Sequence, residues 1–298
     1  MDDHRQQSWD RTTLLHWRQL LACYEPSELG LELYPALFFW DVPGPAYRPE
    51  CSHWWIHDPD LMPVRIMGPD DCAAKGYAGA AGLAYQTITV NPRMYCAWLL
   101  RQCEGTREGL FESRVLHAQS LSQALDEVPS ARIIVNCTGL GAGKLADDEA
   151  CFPTLGQTVL VKGKAHSVVT RRNEEDEQPW EALVIPQPGE ELTVLGGCKL
   201  KGDWCTEPSD RMTATILERC KPLAPELLNE DGAFEVQEVR VGLRPSREGG
   251  PRISVESLED GRYVVHNYGH HSSGFEGSVG LAEEATNLIQ GLLKSEEA

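Results

Sequence analysis

Leu281, Ala285, Leu288, Ile289 and Leu292 recur at the 3.6-residue period of one helix face, which predicts an amphipathic helix from Gly280 toward the C-terminus. Helical spacing also runs through TTLLHWRQLLACY (12–24), NPRMYCAWLLRQCEG (91–105) and SDRMTATILERCKPL (209–223). Asn91 followed by Pro92 reads as an N-cap with proline at the first helical position. Four short runs rich in β-branched residues predict strands: ARIIVNCTG (131–139), QTVLVKG (157–163), ELTVLGG (191–197) and RYVVHNY (262–268). The segment 239–256, VRVGLRPSREGGPRISVE, opens as an alternating strand. RRNEEDEQP (171–179) reads as a charged loop. Mixed helices and strands without an internal repeat predict an α/β or α+β protein.

Composition narrows this. The chain has 298 residues, 41% hydrophobic and 24% charged, with a formal net charge of −18; that is a globular composition with a substantial core. The negative charge argues against nucleic acid, whose phosphates need clustered Lys and Arg, and against an anionic membrane surface. No apolar run nears the roughly 20 residues of a membrane span. MDDHRQQSWD is too polar for a signal peptide, and the ten cysteines include no C-x-x-C pair, so the expectation is a set of reduced thiols in an intracellular protein. The C-terminus, KSEEA, is not an S-K-L peroxisomal address.

The glycine-rich stretch IIVNCTGLGAGKL (133–145) follows a strand. It is neither a Walker A loop nor a dinucleotide fingerprint, because the required glycines and the Ser or Thr after the lysine are missing. Thr138 and Gly139 are left as a strand end that lets the backbone approach a ligand, or an ordinary turn. His266 and His270 lie four apart, a spacing that suits a helix. Their context is a strand and a turn, with no carboxylate or cysteine nearby to complete a set, so no metal is assigned. CSHWWIHDP (51–59) reads as a Trp-rich packing segment. In YVVHNYGHHSSGFEGSVG (263–280) a strand runs into small residues and then a helix start, a shape that brings backbone close to something. Arg244, at a strand end and fixed by Pro245, suits a bidentate grip on a carboxylate, with a structural ion pair as the alternative. Arg171 and Arg172 leave two readings open, a solvated charge run or a preference for acidic substrates.

IIVNCTG, GQTVLVKG, TVLGGCKLKGDW, VGLRPSR and VVHNYGHHSSGF, in this order, resemble the D-amino-acid oxidase and D-aspartate oxidase family of flavoproteins. The resemblance covers nearly all of the chain. It implies a partial FAD-binding, Rossmann-like domain (91–161 and 246–298) and a substrate domain with a mixed or antiparallel sheet (1–90 and 162–245). It implies oxidative deamination of D-amino acids to 2-oxo acids, ammonia and hydrogen peroxide, with FAD as cofactor. Arg244 would bind the substrate α-carboxylate and the carbonyl near Ser272 its amine. Val115, Thr138, Gly139, His271, Ser272, Ser273, Gly274, Phe275 and Glu276 would face FAD. The implied partners are a D-amino acid and dioxygen, with a homodimer left open, in the cytoplasm or the peroxisome.

Two departures stand out. The family keeps a tyrosine where this chain has Leu183, so the hydroxyl that helps hold the carboxylate is missing unless Tyr85, Tyr268 or a lid residue replaces it. Its members also open with a strand, a G-x-G-x-x-G turn and a helix that cradle the pyrophosphate, and that pattern is not found here. The expectation is weak FAD retention, little oxidase activity and a tendency to aggregate. The alternative function is a catalytically silent homologue or an interaction protein.

Overall fold

The computed structural model describes residues 4–41, 53–58, 60–77, 80–105, 111–173 and 180–296. Twelve strands are described: β1 (Leu31–Trp40), β2 (Arg65–Met67), β3 (Ala81–Val90), β4 (Ile133–Asn136), β5 (Cys151–Lys162), β6 (Val168–Asn173), β7 (Trp180–Pro186), β8 (Leu192–Gly196), β9 (Leu200–Lys201), β10 (Val236–Arg247), β11 (Arg252–Ser257) and β12 (Tyr263–Tyr268). The helices are α1 (His4–Leu21), α2 (Pro26–Leu29), α3 (Pro69–Ala74), α4 (Pro92–Glu104), α5 (Leu121–Asp126), α6 (Ala142–Leu145), α7 (Asp210–Cys220) and α8 (Ser278–Glu296). The fold is the mixed α/β arrangement that the patterns predict. No described helix is long and apolar enough to cross a membrane.

The large sheet runs β10-β5-β8-β7-β6-β1-β3-β2, with β9 added to β5. It is antiparallel except where β1 and β6 run parallel. One face buries Phe39, Val159, Val161, Val169, Val184 and Leu195 against Ile216 and Cys220 of α7. Alternation along each strand then turns the residues between these to the other face. The small sheet is β11-β12-β4, with β12 and β4 parallel.

Three features position the site. Arg244 sits opposite Thr154 in the β10–β5 register. An isolated bridge from Ser246 to His270 then carries the turn after β12 against the end of β10. Finally, α8 starts against α1: Thr13 Oγ1 accepts from the amides of Val279 (3.0 Å) and Gly280 (3.4 Å), satisfying two helix-end donors. A Cβ at Gly280 would collide with the Trp9 backbone, so a side chain at this position would force the two helices apart.

The segment 171–179 is not a loop throughout. Arg171, Arg172 and Asn173 are strand residues paired with Ala182, Glu181 and Trp180; cross-strand pairing overrides their local polarity. Residues 174–179 lie outside those described. Of the Trp-rich segment 51–59, Trp54–His57 forms a 3-10 turn, and 51, 52 and 59 lie outside the described residues.

Candidate active site

Arg244 and Leu183 share one cavity of about 760 Å³, lined also by Arg172, Glu181, Lys199 and Arg211. Arg244 is half-buried. Its Nη1 donates to the carbonyl of Cys198 at 3.2 Å, leaving the other guanidinium donors for a ligand. The guanidinium lies over Gly156, where a Cβ would come within 2.5 Å of Cζ and Nη2 and closer still to Nη1. A glycine is therefore what lets the arginine lie flat across β5. Leu183 faces Gly196 and Gly197, with its Cδ1 within 3.7 Å of the Cβ position at both. The ring of a tyrosine is absent there, and so is its hydroxyl. Glu181 pairs with Arg172 and, at 3.3 Å, with Lys199. The two cations hold its carboxyl below the usual range, overcoming the upward push of burial. Arg171 does not join this group; it pairs with Asp41 at 2.8 Å.

Ser272, in the turn His271–Ser273, lines a second cavity. Burial lowers the His271 imidazole pKa, and the nearby charges of Arg244 and Lys199 lower it further, which places the turn beside the cationic cavity. His271 has φ +54°, a left-handed conformation that costs about 1–3 kcal/mol for a non-glycine residue and recurs at functional sites. The second cavity, about 440 Å³, is walled by Trp17, Trp54, Trp55, Tyr85 and Phe275 and carries two carboxyls, Asp10 and Glu276. Burial, with Glu276 as a neighbour, pushes Asp10 up to about 7. Glu276 is open to water inside the cavity yet enclosed by protein, and that enclosure raises its pKa as well. Ser272 lines this second cavity rather than the one that holds Arg244.

A hydrogen-bonded chain fixes Thr138 and Gly139. Neutral His266 donates from Nε2 to Glu256 (2.9 Å) and accepts at Nδ1 from Asn136 Nδ2 (3.3 Å); burial lowers its pKa, consistent with this tautomer. Asn136 Oδ1 in turn accepts from the Thr138 amide (3.2 Å) and hydroxyl (2.7 Å). Gly139 has φ +58° and backs onto Pro245, one residue past Arg244, with 3.4 Å from a built Cβ to the proline Cβ. The Thr-Gly ledge and Arg244 are thus neighbours. The four-residue chain has no local sequence signal, because its members come from β4 and the turn after it, β11 and β12.

These residues fit the flavin end of FAD. The second cavity is a mostly apolar aromatic slot, in the size range of about 300–1,000 Å³ typical of small-ligand pockets. Flanking the 271–276 turn in sequence, His270 Nδ1 and Ser278 Oγ are buried with no hydrogen-bond partner among the described residues, and the α8 N-terminus adds a positive dipole. Thr138, Gly139 and the turn 271–276 would hold the ring. Val115 lines neither cavity and is 86% exposed, so its place near the adenine half remains an expectation. The sequence reading missed Glu181, Lys199, Arg211 and Asp10. Their signal is charge at strand, loop and helix positions that only the tertiary fold brings together.

The chain matches the family described as FAD dependent oxidoreductase over residues 5–288. It is 35% identical over 283 residues to a D-amino-acid oxidase of Streptomyces coelicolor, an alignment covering 95% of this chain and 78% of that one. It is 30% identical over 295 residues to a D-aspartate oxidase of Talaromyces thermophilus (96% and 73%). With a D-amino-acid oxidase of Fusarium vanettenii it shares 33% identity over 218 residues, 70% of this chain and 59% of that protein, so it spans less than two thirds of that relative's length. Among solved structures, a glycine oxidase from Geobacillus kaustophilus superposes with a TM-score of 0.66 at 15% identity (94% and 77%), a likeness of fold. With the family matched along almost its whole length and relatives at 30–35% identity, the chain belongs to the FAD dependent oxidoreductase (DAO) family.

Proposed function

We propose that this chain oxidatively deaminates D-amino acids to 2-oxo acids, ammonia and hydrogen peroxide. One observation carries this reading: a half-buried arginine, flat over a glycine backbone with most of its donors free, stands beside the Thr-Gly ledge and the His271 turn. A fork of that kind suits the α-carboxylate of an amino acid. Ser272 lines the second cavity, so its carbonyl would receive the amine only where the two cavities meet at the His271 turn, and Leu183 would leave room where a tyrosine hydroxyl would add a hydrogen bond. FAD, when bound, supplies a two-electron acceptor for the hydride from Cα and returns the electrons to dioxygen. The protein's part is to orient Cα–H, exclude water and hold the carboxylate. The large sheet would serve the substrate and the small sheet with α8 the flavin, close to the division 1–90 with 162–245 and 91–161 with 246–298. A homodimer and a cytoplasmic or peroxisomal setting remain part of the proposal.

The test supplies FAD to the chain and measures hydrogen peroxide and 2-oxo acid from a panel of D- and L-amino acids. Peroxide from D-enantiomers alone, lost in Arg244→Met, supports the reading. FAD bound without peroxide from any D-amino acid returns the alternative, a silent homologue.

A further inference from the structure

The hydrogen bonds behind Thr138 decide what it can offer a ligand. Asn136 Oδ1 accepts from both the Thr138 amide (3.2 Å) and the Thr138 hydroxyl (2.7 Å). The hydroxyl hydrogen is used there, so the exposed side of Thr138 presents only an acceptor lone pair. With Oδ1 toward Thr138, the donor Nδ2 of Asn136 faces His266 Nδ1 at 3.3 Å. That contact needs a bare Nδ1, hence a neutral ring whose one proton sits on Nε2, against Glu256 at 2.9 Å. Asn136 and His266 are buried, 4% and 0% exposed, so neither can exchange a lost partner for bulk water.

A second proton on His266 breaks this arrangement. Its Nδ1–H would point at the N–H of Asn136 Nδ2, donor against donor. The amide relieves the clash by turning over, which brings Oδ1 to His266 and Nδ2 to Thr138. Nδ2 can donate to the Thr138 hydroxyl oxygen, and the hydroxyl hydrogen is then free to point outward. Nδ2 cannot accept from the Thr138 N–H, which loses its partner. The groups around the ring set where this happens. Glu256 touches it and is paired with Arg252 at 3.0 Å. Tyr268 stands edge-on at 5.6 Å and donates to Asp148 at 2.7 Å. Burial disfavours the second proton and Arg252 adds to it, against Glu256 and Asp148, so the ring titrates below its ordinary value.

We propose that His266 is a positioning residue that sets, through Asn136, the polarity of the Thr138 ledge: with a neutral ring Thr138 accepts from a ligand donor, and with a charged ring its hydroxyl donates instead. Binding at a residue with no titratable group is thereby coupled to pH. The inference rests on the reading of Thr138 as flavin-facing. The flavin carries donors of the kind the neutral state receives, its ring N–H and ribityl hydroxyls. FAD therefore binds about three- to tenfold more weakly once His266 is charged, the effect of one hydrogen bond.

The test follows two magnetic-resonance signals of the full chain, isotope-labelled at its threonine nitrogens, from about pH 8 to about pH 5. The Thr138 amide is assigned from its loss in Thr138→Ser, and the His266 ring protons from their loss in His266→Gln. In the parent protein the Thr138 amide proton moves upfield, as a lost hydrogen bond requires, with the midpoint of the His266 titration. Asn136→Asp abolishes the movement, because a carboxylate accepts from Thr138 and from a charged His266 at once and holds the ring charged throughout. FAD titrated by flavin fluorescence at the two ends of the range binds about three- to tenfold more weakly in acid to the parent, and Asn136→Asp removes that difference. A Thr138 amide that ignores the His266 titration or still moves in Asn136→Asp overturns the inference, as does a His266 that stays neutral until the chain unfolds. If the amide follows His266 while FAD affinity does not change, the switch stands and the flavin-facing reading of Thr138 fails instead.

Discussion

Replacing Gly156 with alanine tests the carboxylate grip without touching the arginine. The added Cβ would lie 2.5 Å from Arg244 Cζ and Nη2, against the 3.4 Å at which ordinary contact begins. The guanidinium must retreat by about an ångström, and as the far end of a flexible side chain it can do so while the strand stays in place. Two opposing effects follow. The strand gains a residue with a side chain at a position where glycine is entropically costly, a change worth about 0.5–1 kcal/mol in its favour. The grip loses alignment. A misplacement of this size costs up to about a hundredfold, and losing one charge-assisted hydrogen bond costs about 1.5–3 kcal/mol. Carboxylate affinity should therefore fall by about 10- to 100-fold, with thermal stability unchanged or slightly higher. Calorimetric titration of a D-amino acid, with a thermal melt alongside, reads both quantities. Unchanged affinity in a folded Gly156→Ala protein would show that Arg244 does not hold the ligand in the observed pose. A collapsed melt would show that Gly156 serves the sheet and not the arginine.

Leu183→Tyr should tighten small neutral D-amino acids by about 0.5–1.5 kcal/mol, one net hydrogen bond; a loss across D-alanine and D-valine would mean the position does not face the carboxylate. Asp10→Asn should flatten the pH dependence of stability. The raised carboxyl favours the fold while protonated, and that contribution is lost as pH rises through about 7. The full shift corresponds to about 4 kcal/mol, and screening at the cavity mouth reduces this to about 1–2 kcal/mol. Denaturation midpoints at mildly acid and mildly alkaline pH check it, and equal slopes in both proteins would refute it. Asn136→Ala removes the link between His266 and Thr138 and should cost about 1–3 kcal/mol, the value of buried groups left unpaired; urea denaturation measures it, and a change within error would reduce the chain to an incidental contact.

The parts of the fold legible in the sequence are those with one dominant period. α4, α7, α8 and β12 follow their patterns closely, and Asn91-Pro92 marks the start of α4. β1 and β3 were not read as strands, because LELYPALFFW is buried along much of both faces and carries Pro35 within it, so neither alternation nor helical spacing shows. β10 runs straight through Pro245 to Arg247, although proline is a usual strand breaker. Arg244, Thr138 and the 271–276 turn were readable as separate motifs. The cationic cavity was not, because Glu181, Lys199, Arg211 and Arg219 converge only when β7 pairs with β8 and α7 packs beneath. The Asp10–Glu276 pair likewise depends on α1 meeting α8, at opposite ends of the chain.

The most direct measurement of the central claim is one anaerobic mixing experiment on FAD-loaded protein, following the visible flavin band after addition of a D-amino acid or its L-enantiomer. The account predicts that the D-enantiomer bleaches the band and the L-enantiomer does not, and that Arg244→Met slows bleaching at subsaturating ligand by roughly a hundredfold or more. A band that persists with the D-enantiomer, or that bleaches equally with both, would contradict it.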